Sequence, residues 1–315
     1  MSKFDIIIPI AKTDIGALKN SLPYIKSQLP DAKIVVIANI EVEKLLADVN
    51  DISFVDENKM IDGLDFKTIK SIIGKRYEKA ERRTGWYFQQ FLKLGYSRIC
   101  DNDYYLSWDS DTIPLTGLEF FDTNGRPFLD VLPIVAEDAA YTKTINNLWN
   151  DGSVKKYMKF SFISEHMMFS TSAVNEMLNE IESNADLAGE HFYEKILNAI
   201  PLNELNLSGF SEFETYAAYV LSKKKSLYVL RDWKNLRHGR AYFGSNPTEK
   251  QLLWVSKSFD VISIEDFDKQ LLLCKLLCRD LLISKVKFCN FCKLIEPYIK
   301  IKYSIRMIIR KIVRR

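Results

Sequence analysis

Cysteine is scarce and late in this 315-residue chain: there are five, and none precedes Cys100. An odd count with an empty first third excludes a disulfide framework. Histidine is scarcer still, at three, so any site needing imidazole has few candidates. No apolar run reaches the roughly 18–20 residues that span a bilayer; charges interrupt the longest, 271–283 and 298–313. The opening MSKFDIIIPI stops at Pro9 without a cleavage-site pattern, so no secretory signal is read and the body is expected in the cytoplasm. No internal repeat or low-complexity tract is present.

What is there describes a globular chain. Hydrophobic residues make up 47% and charged residues 27%, enough to bury a large core and too much for a disordered or collagen-like protein. The net charge of +3 hides a division. Residues 285–315 carry ten basic groups and one acid, Glu296, or +9, which leaves −6 on the rest. An acidic body with a basic tail is a different object from a neutral protein. Two domains are expected: a catalytic domain over 1–248 and a helical extension over 249–315.

Short apolar runs bounded by turn residues predict strands at Phe4–Ile10, Lys33–Ile40, Ile52–Val55, Tyr104–Ser107, Val131–Val135, Phe160–Phe169 and Ser226–Leu230. Helical spacing lies between them, at Leu18–Leu29, Glu41–Val49, Trp86–Leu94, Ala173–Ile181 and Phe192–Leu197. From Thr248 the pattern is mostly helical. Alternating strands and helices predict an α/β fold, a mixed but mainly parallel sheet flanked by helices. Ligands of such sheets sit at the carboxyl ends of the strands.

One such end carries a pair of carboxylates. In YYLSWDSDTIPL (104–115) a hydrophobic strand runs directly into Asp109 and Asp111. At i and i+2 the two can converge on one point, and Mg²⁺ or Mn²⁺ is commonly held by one or two carboxylates plus substrate phosphates. A bare D-x-D is also an ordinary turn; the placement after the fourth strand and before Pro114 is what favours a metal.

With that motif the chain resembles nucleotide-sugar-dependent glycosyltransferases of the GT-A fold, and most closely bacterial transferases of capsule, O-antigen and related surface-polysaccharide pathways. The segments that carry the likeness are GWYFQQFLKL (85–94), YLSWDSDTIPL (105–115), FISEHMMFS (162–170), GFSEFETYAAYVL (209–221) and LRHG (236–239). Their order and spacing matter more than any one of them. The resemblance implies a GT-A, Rossmann-like domain, a nucleoside-diphosphate sugar donor, most simply a UDP-sugar, and a lipid-linked acceptor on polyprenyl diphosphate. Asp109 and Asp111 would bind Mn²⁺ or Mg²⁺, with His238 of the late loop as a further ligand.

Roles for other residues follow from that resemblance. GFSEFETY supplies two candidate bases, Glu212 and Glu214. Ser211 and Glu214 fit a capping box, which gives Glu214 a structural task and leaves Glu212 the freer base. Pro9, Ile10, Ala11 and Asp14 sit where the nucleotide base is received. Arg82, Arg83, Gln90 and Lys93 precede the D-x-D and suit a diphosphate; Trp108 and Ser110 flank Asp109 at the donor. Glu165 and His166 would face the acceptor. Trp86, Tyr87, Phe88 and Phe91 could stack on a sugar, but at helical spacing they read as core.

Cys274, Cys278, Cys289 and Cys292 could hold a structural zinc, or be small buried hydrophobes in helices. The tail is more telling. On a helix from Tyr298, isoleucines including Ile305 and Ile309 fall on one side and Lys302, Arg306 and Arg310 on the other. That is the pattern of a helix lying in a bilayer interface. It predicts a peripheral protein on the inner face of the cell membrane and no nucleic-acid partner. Two alternatives remain: a nucleotidyltransferase acting on a sugar phosphate, and an inactive membrane-bound scaffold. The first would carry a glycine-rich loop after the first strand, where AKTDIGALKN has one glycine.

Overall fold

The structure, a computed structural model, describes residues 3–132, 140–156, 159–266, 268–278, 283 and 285–313, with the side chains of 300 and 302–313 outside the description. In chain order the elements are β1 (Phe4–Pro9), α1 (Ile15–Gln28), β2 (Lys33–Ala38), α2 (Ile40–Leu45), β3 (Ser53–Asp56), α3 (Phe66–Arg76), α4 (Thr84–Gly95), β4 (Tyr104–Trp108), β5 (Thr112–Pro114), β6 (Phe128–Val131), α5 (Ala140–Leu148) and β7 (His166–Ser170). There follow α6 (Thr171–Ser183), α7 (Phe192–Ala199), α8 (Leu202–Leu205), α9 (Glu212–Lys223), β8 (Val229–Asp232), β9 (Asn235–Leu236), α10 (Gly239–Phe243), α11 (Glu249–Ser256), β10 (Val261–Ser263), α12 (Leu272–Leu277) and α13 (Phe288–Val313). These form two compact units. The first comprises 1–19, 29–110 and 119–233; the second comprises 20–28, 111–118 and 234–315.

The first unit is built on a five-stranded sheet of order β3-β2-β1-β4-β7, parallel except for β7. Ile6–Ile8, Val35–Ala38 and Tyr105–Trp108 are all buried. Near-continuous apolar strands of this kind belong to a sheet covered on both faces. One cover is α4, which buries Tyr87, Phe88, Phe91, Leu92 and Leu94. The aromatic run of that helix is therefore core, with Trp86 only half-buried beneath the Arg83 guanidinium, 4.1 Å from its ring centre. Helix α3 buries Ile69 and Ile73 and turns Lys67 and Lys70 to solvent. Chain order reverses between β1 and β4, and the crevice outside the carboxyl ends at such a switch point is where ligands of open α/β sheets bind.

The second unit holds a three-stranded sheet of order β5-β10-β9. Its core joins Ile113, Leu236, Tyr242, Trp254 and Ile262 to Phe288, Phe291, Ile295 and Ile299 of α13. Cys274 and Cys278 are buried in the same core. Gly239 is required here by packing: a Cβ would lie 2.4 Å from the Ile262 side chain and 2.7 Å from the Ser263 carbonyl oxygen.

Three sequence expectations change. Strand β10 interrupts the stretch after Thr248 that reads as helix; three residues are too few for a period-2 signal. Strand β7 begins at His166 rather than Phe160 because Glu165 adopts φ 62°, which breaks the extended run. The strand expected at Val131–Val135 is β6, ending at Val131, and its last three residues lie outside the described residues.

Glu57, just past β3, carries a built-in pH dependence. Burial and the neighbouring Asp56 push its carboxyl up to about 7, against a hydrogen bond with Asn39. A carboxyl raised in the folded state binds more protons than it does unfolded, so its ionisation weakens the fold as pH rises from about 4.5 to 7. Glu57→Gln should therefore raise unfolding free energy by about 1–2 kcal/mol at pH 8 and leave it unchanged near pH 4. Urea denaturation at both pH values measures this; an equal gain at both would refute it.

Candidate active site

Asp109 leaves β4 at the point where β4 and β7 part. Its backbone N–H donates to the Glu165 carbonyl at 2.9 Å, so the left-handed turn at Glu165 fixes where Asp109 begins. Its carboxylate meets the Lys93 ammonium, 2.8 Å from Oδ1. Lys93 stands in the last turn of α4 with its side chain only 5% exposed. The same ammonium lies 2.9 Å from Oε1 of Glu212, also 5% exposed, and 4.5 Å above the Phe213 ring centre. Burial alone would lower the lysine pKa. The charges and hydrogen bonds of Asp109 and Glu212 outweigh it and hold the group above its ordinary value.

Helix α4 fixes the rest of this arrangement. Gln90, three residues before Lys93, accepts the Glu212 N–H on its Oε1 at 3.2 Å and donates to the Trp86 carbonyl. Gln89 donates to the Pro9 carbonyl at 2.9 Å, tying α4 to the carboxyl end of β1. Pro9 and Ile10 are buried there, whereas Ala11 is exposed; its N–H donates to Asp14, whose carboxylate closes the turn after β1. Thus Asp109, Glu212, Gln90 and Lys93, expected separately as metal ligand, base and donor contacts, come together in one cluster.

The two glutamates of α9 differ sharply. Ser211 caps the helix by accepting the Glu214 N–H at 3.3 Å, but the Glu214 carboxylate does not close the expected box. It receives Lys156 at 2.5 Å, the Ser161 hydroxyl at 3.1 Å and the Phe162 N–H at 3.2 Å. Lys156 and Glu214 are both buried. Glu214 anchors Lys156, Ser161 and Phe162, and Glu212 is the glutamate that shares Lys93 with Asp109.

His166 is buried, not open to a cleft. Its ring nitrogens face the Asp130 carboxylate at 2.8 Å and the Ser164 carbonyl at 2.9 Å, and it packs on Trp108, Phe120 and Trp233. Arg231 completes the network on Asp130 at 2.6 Å. Burial would raise the Asp130 carboxyl, but hydrogen bonds from His166 and Arg231 hold it below its usual range. Trp108 is fully buried in this network, and Ser110 and Glu165 are buried as well. Arg82 is bound to Asn206 and Arg83 rests on Trp86.

In the second unit, Asp111 anchors backbone pairing: its carbonyl accepts the Ile264 N–H at 2.8 Å. His238 precedes α10 and bonds through Nδ1 to Asp268 at 3.1 Å. His238, Glu265 and Asp268 offer ligand atoms all within 4.8 Å of one another, and among the described residues this is the one group of three or more such side chains placed to hold a metal. The cysteines form no such group among those residues. Burial raises the Glu265 carboxyl, against the Arg237 charge. An imidazole beside two carboxylates is a donor set that suits Mn²⁺ or Mg²⁺ better than a thiolate-seeking ion.

Sequence reasoning missed Asp130, Lys156, Glu265 and Asp268. The acid-rich run after Val261–Ser263 is a signal for the last two; Asp130, the lone acid in the apolar run FLDVL, is a signal for a buried and paired carboxylate, and Lys156 carries none. Lys156 provides a test of the Glu214 assignment. Lys156→Met leaves a buried carboxylate uncompensated and should cost about 3–5 kcal/mol, while the pair Lys156→Met/Glu214→Leu should cost much less. A double-mutant cycle by urea denaturation measures the difference; additive costs would contradict the pairing.

Solved structures overlap the chain only loosely. Mouse xyloside xylosyltransferase 1 matches at 10% identity over 84% of this chain and 98% of its own, with a TM-score of 0.40. LgtC, in an active-site mutant, matches at 15% over 82% and 86%, at 0.41, and the glycosyltransferase GlyE of Streptococcus pneumoniae at 11% over 88% and 59%, at 0.38. Overlaps of this quality carry no weight for function. No curated protein matches the chain. A family profile does, over residues 2–267: the chain belongs to the Family of unknown function (DUF6492).

Proposed function

We propose that the chain is a metal-dependent glycosyltransferase. It moves a hexosyl group from a nucleoside-diphosphate sugar, a UDP-sugar in the simplest case, to a lipid-linked glycan of a bacterial surface polysaccharide, at the inner face of the cell membrane. The observation that carries this reading is the Lys93–Asp109–Glu212 cluster at the switch point of a mainly parallel sheet. The D-x-D motif and the five segments that resemble GT-A transferases support it.

In the second unit Asp111 and His238, the latter beside Glu265 and Asp268, would hold the cation, which when bound supplies positive charge to the diphosphate leaving group; in the first, Asp109 is the carboxylate that Lys93 holds at the donor. Glu212 acts as the base. It accepts the proton of the acceptor hydroxyl as the new glycosidic bond forms, which is the requirement of an inverting transfer. Lys93 orients Glu212, its ammonium 2.9 Å from Oε1. Ala11 and Asp14, at the open end of β1, receive the nucleotide. Arg82, exposed beside Asn206, would reach for the diphosphate, while the buried Glu165 and His166 would support the site from beneath rather than face the acceptor.

Asp109→Ala and Asp111→Ala should each lower donor hydrolysis or transfer by about 10²-fold or more, the scale of losing one electrostatic stabiliser of the leaving group. Glu212→Gln should lower transfer by about 10²–10⁴-fold, the contribution of a general base. Chelator should silence the unmodified protein. Rates with a panel of nucleotide sugars, with melting curves to show each variant folded, decide the matter. Full activity in both aspartate variants, or in chelator, would overturn the metal assignment.

A further inference from the structure

Helix α13 has two apolar arcs, and the fold covers only one. Phe288, Phe291, Ile295 and Ile299 are buried in the second unit's core. At 100° per residue they occupy an arc of about 80°. Leu294, Tyr298 and Ile301 fall on an adjoining arc and are 61%, 55% and 58% exposed. A second row lies on α12. Leu272 and Leu276, one turn apart, are 74% and 54% exposed on the side away from the buried Cys274 and Cys278.

Helical register extends the pattern past Ile301. Ile305, Ile308 and Ile312 continue the arc of Leu294, Tyr298 and Ile301. On the arc that carries Phe291, Ile295 and Ile299, the sequence places Lys302, Arg306 and Arg310 among Ile309 and Val313. By sequence, basic residues thus enter the arc that is buried earlier in the helix, while the adjoining arc stays apolar through Ile312. A helix built only to close the core has no reason to keep the outer arc apolar.

We propose that the outer arc of α13, together with Leu272 and Leu276 of α12, is a docking face for an anionic lipid surface. Charge selects the occupant. A second copy would bring two +9 segments together, whereas an anionic bilayer accepts both the bases and the apolar row. The membrane-binding tail is therefore the end of a larger face that begins within the folded unit. The proposal rests on the membrane location proposed above, and not on the transfer chemistry.

The test uses the full chain and sedimentation with vesicles of phosphatidylcholine, alone or mixed with phosphatidylglycerol. The unmodified protein should bind the anionic vesicles and bind the neutral ones weakly. Leu294→Glu/Ile301→Glu and Leu272→Glu/Leu276→Glu, both at exposed positions, should each weaken binding about tenfold or more, with melting temperature and donor hydrolysis unchanged. Unaltered binding by either pair would overturn the face as drawn. Tyr298→Trp gives a reading that does not depend on a disruptive change: its emission should shift to the blue with anionic vesicles, and an unshifted spectrum would overturn the proposal. A dimer in solution that the glutamate pairs dissociate, with no vesicle binding by the unmodified protein, would assign the face to a second copy instead. Loss of transfer chemistry with vesicle binding intact would count against the enzyme reading alone.

Discussion

One buried ammonium organises the candidate site. Lys93 reaches two carboxylates that arrive on different elements, Asp109 from the end of β4 and Glu212 from the start of α9. Neither the lysine nor Glu212 could stand at that depth charged without the other, because an unpaired buried charge is far costlier than a paired one. The aromatic face of α4 follows from the same need. Packed Tyr87, Phe88 and Phe91 set the depth of the helix, and Gln89 and Gln90 tie it to β1 and α9. Buried ion pairs add little net stability over an apolar substitute, so a cluster of this kind is better understood as a means of holding two carboxylates at one place.

The same logic recurs elsewhere. Glu214 and Lys156 neutralise each other to anchor a loop, and Asp130 gathers His166 and Arg231 beneath an aromatic cover. In the second unit His238 is oriented by Asp268, and Gly239 allows the backbone of that loop to lie against β10. A carboxylate on one ring nitrogen sets which tautomer an imidazole presents.

Much of the sheet was legible in the amino-acid sequence, because buried parallel strands read as uninterrupted apolar runs: β1, β2 and β4 stand out for that reason. The D-x-D at the end of β4 was legible as local chemistry. What escaped was long-range. Lys93 reads as one more base on a helix near phosphate, and nothing local tells that Asp109 and Glu212 close on it. The S-x-x-E spacing at Ser211 predicts a box, yet a lysine some sixty residues earlier captures the glutamate. His166 reads as an open polar residue because its partner, Asp130, lies on another sheet pairing. The exposed arc of α13 was half legible: its isoleucines beyond Tyr298 show a stripe, but only packing reveals that Phe291, Ile295 and Ile299 face the core while Leu294 and Ile301 do not.

The central claim is that this site breaks the bond between a sugar and a nucleoside diphosphate with a divalent cation present. The nucleotide product tests it most directly. The full chain incubated with nucleotide sugars and Mn²⁺, and its products separated by anion-exchange chromatography, should release nucleoside diphosphate and no pyrophosphate. Release of pyrophosphate would mean nucleotidyl transfer and would contradict the account.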